Sequence, residues 1–364
     1  MGVRTASAMA LFFALAGSGA VAEPQLQPAG AMTLARAAHQ ATALPSGQLL
    51  ISGGCSGRCD RVLASVELYD PAKRSFKPGP AMAQARASHA AIALADGRLL
   101  VAGGWTGRAA TASAELYDPA TGRFSPLAAM TDARIGPLAT LLADGRVLIS
   151  GGEARVGAPL ASAEVFDPRS LRFSAVGPMG QARMSHAAAR LSDGRVLVAG
   201  GHVRRGEVLA SAEVFDPASG RFQPSGSMAA VRHKLAAAPL PDGRVMILGG
   251  SDARDDRGRY RSTEIFDPTS GRFSPGPNLL GARHKHHDAV LVLPTGALLV
   301  AGGGPERPEI YQPRERRFVA VAGAKSPPQM FPTASLLASG EVLILGGYDD
   351  DTQCSAAAWL LRLP

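Results

Sequence analysis

A Gly-Gly pair recurs seven times along the chain, at Gly53-Gly54, Gly103-Gly104, Gly151-Gly152, Gly200-Gly201, Gly249-Gly250, Gly302-Gly303 and Gly346-Gly347, with spacings of 50, 48, 49, 49, 53 and 44 residues. A period of this size means that one supersecondary unit is copied and stacked, and it overrides any domain count taken from length. Each pair closes an apolar run such as DGRLLVAGG, itself preceded by a second apolar run such as HAAIAL. Asp-Gly between two such runs is a strong short-range hairpin signal, so two strands of each unit form an antiparallel hairpin. After a loop of variable length come SVELYDP, SAELYDP, SAEVFDP (twice) and STEIFDP in repeats one to five, which read as a third strand. Asp-Pro ends that strand, since Pro presets the turn angle and Asp can accept from the backbone beyond it. A short fourth strand follows, anchored by Phe124, Phe173, Phe222 or Phe273. The 42 Gly and 27 Pro fit so many turns and exclude an all-helical fold.

Four short antiparallel strands repeated seven times predict an all-β, seven-bladed β-propeller. The ends interlock in this reading. The opening QLQPAGAM is fourth-strand material, with Leu26 six residues before Met32 as Phe124 is before Met130, and the chain finishes after a third strand, SAAAWLLRLP. The N-terminal strand is therefore expected to complete the last blade, which removes an edge that would otherwise invite aggregation. The repeat resembles the kelch family, whose units have an apolar strand ending in Gly-Gly, then a Tyr, then a Trp. Here Tyr69, Tyr117, Phe166, Phe215, Phe266 and Tyr311 stand at the first aromatic position and Phe replaces the Trp. The resemblance implies a kelch-type propeller over residues 23–364. Kelch propellers include both partner-binding platforms and enzymes, so the fold alone does not fix the function.

Residues 1–22 read as a signal peptide: Arg4, an apolar segment from Ala8 to Ala16 too short to span a bilayer, and the small-residue site Ala20-Val21-Ala22. The protein is thus expected to be exported, to the periplasm or beyond. Cys55, Cys59 and Cys354 then meet a compartment in which disulfides persist. A Cys55–Cys59 bridge and a bridge from either residue to Cys354 are both open at this stage, and the spacing is a poor zinc pattern. The net charge of +8 and pI near 9.8 point to an anionic partner, a protein or a glycan. No recognition helix or aromatic stripe suggests nucleic acid, no transmembrane segment is expected, and a monomer is.

In a four-stranded blade the second-to-third-strand loop and the blade connector share one end. The opposite end carries near-identical DGR and DPxxGR turns. The loops at the first end all differ, from CSGRCDRVL and WTGRAATA to SDARDDRGRYR and YDDDTQC, and specific recognition is expected there. Trp105, Arg108, His202, Arg204, Arg205, Arg257, Arg259, Tyr260 and Tyr348 are the candidate contacts, because Trp, Tyr and Arg dominate binding hot spots. An Arg enters strand one in six repeats (Arg36, Arg86, Arg134, Arg183, Arg232, Arg283), often followed by His39, His89, His186 or His286. Such a ring either grips an anion on the axis, which makes Arg86, Arg134 and Arg183 binding candidates, or ties neighbouring blades together.

In ARHKHHDAV an extended strand would put His284, His286 and Asp288 on one face, a possible metal set, with His287 opposite. The stretch after it has a local resemblance to galactose-oxidase-type copper-radical enzymes. Those need two His, two Tyr and a Tyr-linked Cys, a set this chain does not assemble. Neither the Asp349–Asp351 run nor Asp252, Asp255 and Asp256 has calcium-loop spacing, and no hydrolase or nucleotide motif appears. The residues therefore predict a binding protein without cofactor, metal or catalytic set. A carbohydrate-modifying enzyme, similar to sugar mutarotases or to a degenerate copper oxidase, is the alternative.

Overall fold

A computed structural model describes residues 24–204, 206–304, 307–323 and 330–363; the expected signal segment and Arg205 lie outside them. Seven blades of four antiparallel strands surround one axis, the seventh with the short segment Ala322–Gly323 added in parallel at its edge, and the first strands contact one another in an unbroken circle. Blade 1 is typical, with strands Gln40–Ala43, Leu49–Ser52, Val66–Asp70 and Ser75–Pro78. Its second strand is buried along its whole length, as expected for a short apolar run sandwiched between neighbours. The N-terminal strand Gln25–Ala31 pairs antiparallel with the C-terminal strand Ala357–Arg362 and completes blade 7. No helix among the described residues is long and apolar enough to cross a membrane.

Between blades lies a repeated set of polar bonds that the hydrophobic pattern does not announce. The Arg86 guanidinium is fully buried; it donates to Gly103 O at 2.7 Å, Ser113 O at 3.1 Å, Ser113 Oγ at 3.0 Å and Glu115 Oε1 at 2.9 Å, all in its own blade. The same carboxylate accepts from the backbone of Ala83 and Gln84 in the connector. Meanwhile the Arg86 N–H donates to Leu63 O and its carbonyl accepts from Gly54 N, both in the preceding blade. One residue thus pins two blades and a connector. Arg–Glu pairs of this kind recur as Arg36–Glu67, Arg134–Glu164, Arg183–Glu213, Arg232–Glu264 and Arg283–Glu309.

The Gly-Gly pairs are needed for this contact. Gly53 has φ 58°, and a Cβ on it would sit 2.4 Å from Arg86 O. At the seam, Gly347 N reaches Arg36 O at 3.0 Å, so the same bond closes blade 7 onto blade 1. The buried repeat aromatics pack on the fourth-strand Phe residues, for example Phe166 on Phe173 with centroids 4.9 Å apart.

Cys55 and Cys59 are joined by a disulfide inside the blade 1 loop. Cys354 arrives from blade 7, buried, with its Sγ 3.7 Å from Cys59 Sγ. Two outcomes follow. Trypsin cuts at Arg58, so non-reducing peptide mapping should find the Cys55 and Cys59 peptides joined and Cys354 alone alkylated; a Cys59–Cys354 link would reassign the bridge. Arg134→Ala, which strands a buried carboxylate, should cost about 3–5 kcal/mol in a denaturant melt, whereas Arg108→Ala on the exposed rim should leave the midpoint in place.

Candidate functional site

Arg86, Arg134 and Arg183 do not form an anion grip on the axis. Burial is complete and both terminal nitrogens of each are spent on carbonyls, a hydroxyl and a glutamate, which makes them inter-blade ties. The histidines three residues on are buried as well. His89 Nε2 lies 2.9 Å from Ser52 Oγ and His186 Nε2 3.1 Å from Ser150 Oγ, each in the preceding blade. Burial first, and then the nearby clamp arginine, pushes His39, His89, His186 and His286 down to about 3.

What faces the axis is the residue two beyond each arginine. Ala38, Ser88, Gly136, Ser185, Lys234, Lys285 and, in blade 7, Phe331 all have φ between 49° and 61°. Left-handed backbone at Ala, Ser, Lys or Phe costs on the order of 1–2 kcal/mol per residue. Successive members are linked around the axis: Ser88 N to Ala38 O, Gly136 N to Ser88 O, Lys234 N to Ser185 O, Lys285 N to Lys234 O and Phe331 N to Lys285 O, all 2.8–2.9 Å. These bonds, with the arginine anchors two residues away, over-determine the conformation. No propensity signal marks this register, because apart from Gly136 the residues that adopt it do not favour it.

Around this ring the first strands enclose a cavity of about 150 Å³. A void of ~150 Å³ is the size that admits one benzene-like ring. Blades 1 to 4 line it with Ala38, Ser88, Gly136 and Ser185 together with Gln40, His89, Met184 and His186. Lys234, His287, Asp288 and Phe331 line the other side. His287 Nε2 is 3.0 Å from Asp288 Oδ2, which also accepts from Gln40 Nε2 at 3.0 Å. Desolvation alone would lower the His287 pKa, but the charge and hydrogen bond of Asp288 outweigh it and raise the value. The expected grouping of His284, His286 and Asp288 on one face fails here. The left-handed Lys285 and a 3-10 turn over His287–Ala289 break the strand, bury His286 and bring His287 to Asp288 instead.

The other candidates sit on the loop face without converging. Arg108, Arg257 and Arg259 are exposed; Arg204 is exposed and paired to Glu207 at 2.6 Å. Trp105 is half-buried at the base of its loop, bridged to Ala87. His202 Nε2 approaches Glu153 at 3.4 Å and its ring meets His233 edge-on at 5.4 Å. Tyr260 lies under the Arg232 guanidinium at 4.7 Å, and Tyr348 packs beside Phe331 and the Lys285 ammonium. Sequence reasoning passed over Lys234, Lys285 and Phe331, and it passed over the six clamp glutamates, whose signal was a charge repeated in mid-strand.

Three of the repeats, residues 36–83, 86–131 and 183–229, match the Kelch motif, and with seven four-stranded blades the chain is a kelch-repeat β-propeller. Among solved structures it is similar to a fungal alcohol oxidase in complex with copper, at 17% identity over 94% of this chain and 76% of that one, with a TM-score of 0.73. It is also similar to YjhT, at 12% identity over 80% of this chain and 99% of that one, with a TM-score of 0.62. At these identities the likeness is one of fold. No curated protein matches the sequence. The residues present do not fit a copper-radical centre: Tyr260 and Tyr348, the two tyrosines outside the repeat position, are on different blades, one stacked on a guanidinium and the other beside an ammonium and Phe331.

Acid should expose the buried imidazoles. His39, His89, His186 and His286 stay neutral in the fold to about 3, while the unfolded chain takes up protons near 6.5. Their contribution is complete above pH 6.5 and is lost as pH falls, at about 1.4 kcal/mol per pH unit for each histidine. The melting temperature should therefore drop steeply between pH 6 and 4.5, above the carboxylate range, and His186→Gln should flatten that slope; a pH-independent melt would remove this account.

Proposed function

We propose that this chain is an exported kelch propeller that binds an anionic glycan or an acidic protein on its loop face, with the axial cavity taking one ring-sized group of the ligand. Export rests on the signal-like residues 1–22. The observation that carries the binding face is a difference in charge pairing between the two ends. In the DGR turns each Arg folds back on its own Asp, as in Arg98–Asp96 at 2.6 Å and Arg146–Asp144 at 2.7 Å. The outer turns set Asp118 opposite Arg123 and Asp167 opposite Arg172 in register. On the loop face Arg204 and Arg254 meet Glu207 and Asp252, but Arg108, Arg155, Arg257 and Arg261 are exposed and have no carboxylate partner among the described residues. Forked guanidinium donors suit carboxylate and sulfate groups, and their contribution falls with salt. Arginines outnumber acidic residues in the loops of blades 1, 2, 4 and 5, whereas Asp349, Asp350 and Asp351 mark blade 7, so an extended anion is directed away from blade 7.

His287 and Asp288 inside the cavity support a second reading, proton transfer on a bound sugar ring, for which an imidazole held by a carboxylate is suited.

Binding to an immobilised acidic polysaccharide should weaken at least tenfold in Arg108→Glu/Arg155→Glu/Arg257→Glu and decline with added salt, while Arg98→Glu/Arg146→Glu on the opposite end retains it. Equal losses from both ends would reject the loop face as the binding surface. Anomer exchange of sugars followed by NMR, abolished in His287→Gln, would move the assignment to the enzymatic reading.

A further inference from the structure

We propose that Asp255, Asp256 and His284, with His233 as a further donor, form a site for one divalent first-row transition-metal ion of the zinc class, on the rim between blades 5 and 6. The residue directly after each clamp arginine is Ala37, Ala87, Ile135 or Met184 in blades 1 to 4. In blades 5 and 6 alone among these it is histidine, and Asp255 approaches both. Both are buried, His233 at 8% exposure and His284 at 0%. Neither ring nitrogen of His233 has a hydrogen-bond partner, and neither has Asp255 Oδ1. A buried polar atom without a partner costs about 1–3 kcal/mol, so His233 Nε2 and Asp255 Oδ1, 3.9 Å apart and both unbonded, call for an occupant.

Asp255 Oδ1 faces both imidazoles, 3.9 Å from His233 Nε2 and 3.7 Å from His284 Nε2. Donors bound at about 2.0–2.1 Å in a tetrahedron lie about 3.4 Å apart, so each of these two separations is within about half an ångström of the bound value. Ligand atoms of Asp255, Asp256 and His284 all lie within 4.8 Å of one another, and the hydrogen bond between Asp256 Oδ1 and His284 Nε2, 2.6 Å, is the contact an ion would replace. Lys234 Nζ holds the other oxygen of Asp255 at 2.5 Å and Lys285 Nζ contacts Asp256 Oδ1 at 3.2 Å. The Lys234 bond is the outer contact that aims a ligating carboxylate. Asp255 itself is left-handed, φ 54°, at the head of the 3-10 turn Asp255–Gly258, so the loop accepts local strain in placing it.

The donor set selects the metal. Two imidazoles with a carboxylate suit zinc, iron or nickel, whereas calcium and magnesium take oxygen donors. Desolvation and the adjacent lysines bring both imidazoles to about 4, so both are neutral at neutral pH; His284 Nε2 is bonded to Asp256 Oδ1, and the ion would take the place of that proton. The disulfide-bonded Cys55 and Cys59 with Cys354 form the other cluster of possible metal donors, and a control must separate it.

The test uses the full chain, stripped with a chelator and titrated with zinc by calorimetry, with calcium in parallel. One equivalent of zinc should bind, weakened at least tenfold by His284→Gln and by Asp255→Asn and unchanged in His287→Gln and Cys354→Ser. Because the first two positions are buried, imidazole NMR signals of the unaltered protein supply a second reading: those of His233 and His284 should shift with zinc while that of His287 does not. Absence of zinc binding, a preference for calcium, or binding that leaves both imidazoles unmoved would overturn the proposal.

Discussion

Six guanidinium groups that never meet solvent hold the ring together. Each clamp arginine uses its side chain on its own blade and its backbone on the blade before, so the inter-blade seam is made by peptide groups whose position a side chain enforces. Taking a guanidinium and a carboxylate out of water costs several kcal/mol per ion, and the attraction between them seldom exceeds that. The pair is therefore best understood as a device for register. Glu115 Oε1 and Oε2 receive the backbone of the connector as well as Arg86, so one arrangement of the connector satisfies this carboxylate and the Ala83 and Gln84 N–H groups together. Blade 7 departs from this scheme at its third strand, where Trp359 stands in register with the clamp glutamates; that blade is held by its pairing with the N-terminal strand.

The clamp also explains the axial ring. A connector pinned at its arginine must turn sharply before entering the first strand, and the left-handed residue two positions on makes that turn. Seven turns of one kind leave six side chains and one glycine at the mouth of the shaft, and what varies among them is size and charge. Ala38, Ser88, Gly136 and Ser185 leave room; Lys234 and Phe331 border the cavity from the other side. An asymmetric cavity thus arises from substitution at this register and from the 3-10 turn that brings His287 and Asp288 to it in blade 6. His233 and His284 hold equivalent positions, one residue earlier in adjacent blades.

The function follows the same division of labour. A kelch propeller is a rigid frame of near-identical wedges, and rigidity at the DGR end frees the loop end to diverge. Charge is neutralised locally in the DGR turns, through pairs such as Arg195–Asp193 and Arg244–Asp242, and only in part on the loop face, where Arg204 meets Glu207 and Arg254 meets Asp252 while Arg108 stays exposed. Likeness of fold to a copper-bound alcohol oxidase therefore says what frame is present, while the side chains on the rim say what it holds.

The repeat was legible from the chain alone because it is written in local physics. Gly-Gly pairs, Asp-Gly hairpins and Asp-Pro turns each fix a few dihedrals, and their period fixes the blade, the strand order and the pairing of the two ends. Burial of the Tyr and Phe residues at the repeat position followed from the same alternation. Placement of charged groups did not, since a guanidinium near an axis and a guanidinium sealed between blades have identical sequences around them. Only packing decided that Arg86 is spent inside the frame while Arg108 is not, that His287 rather than His286 joins Asp288, and that His233 and His284, 51 positions apart, both approach Asp255. Periodicity specifies backbone; which side chains meet across blades depends on turns and distances that no local pattern encodes.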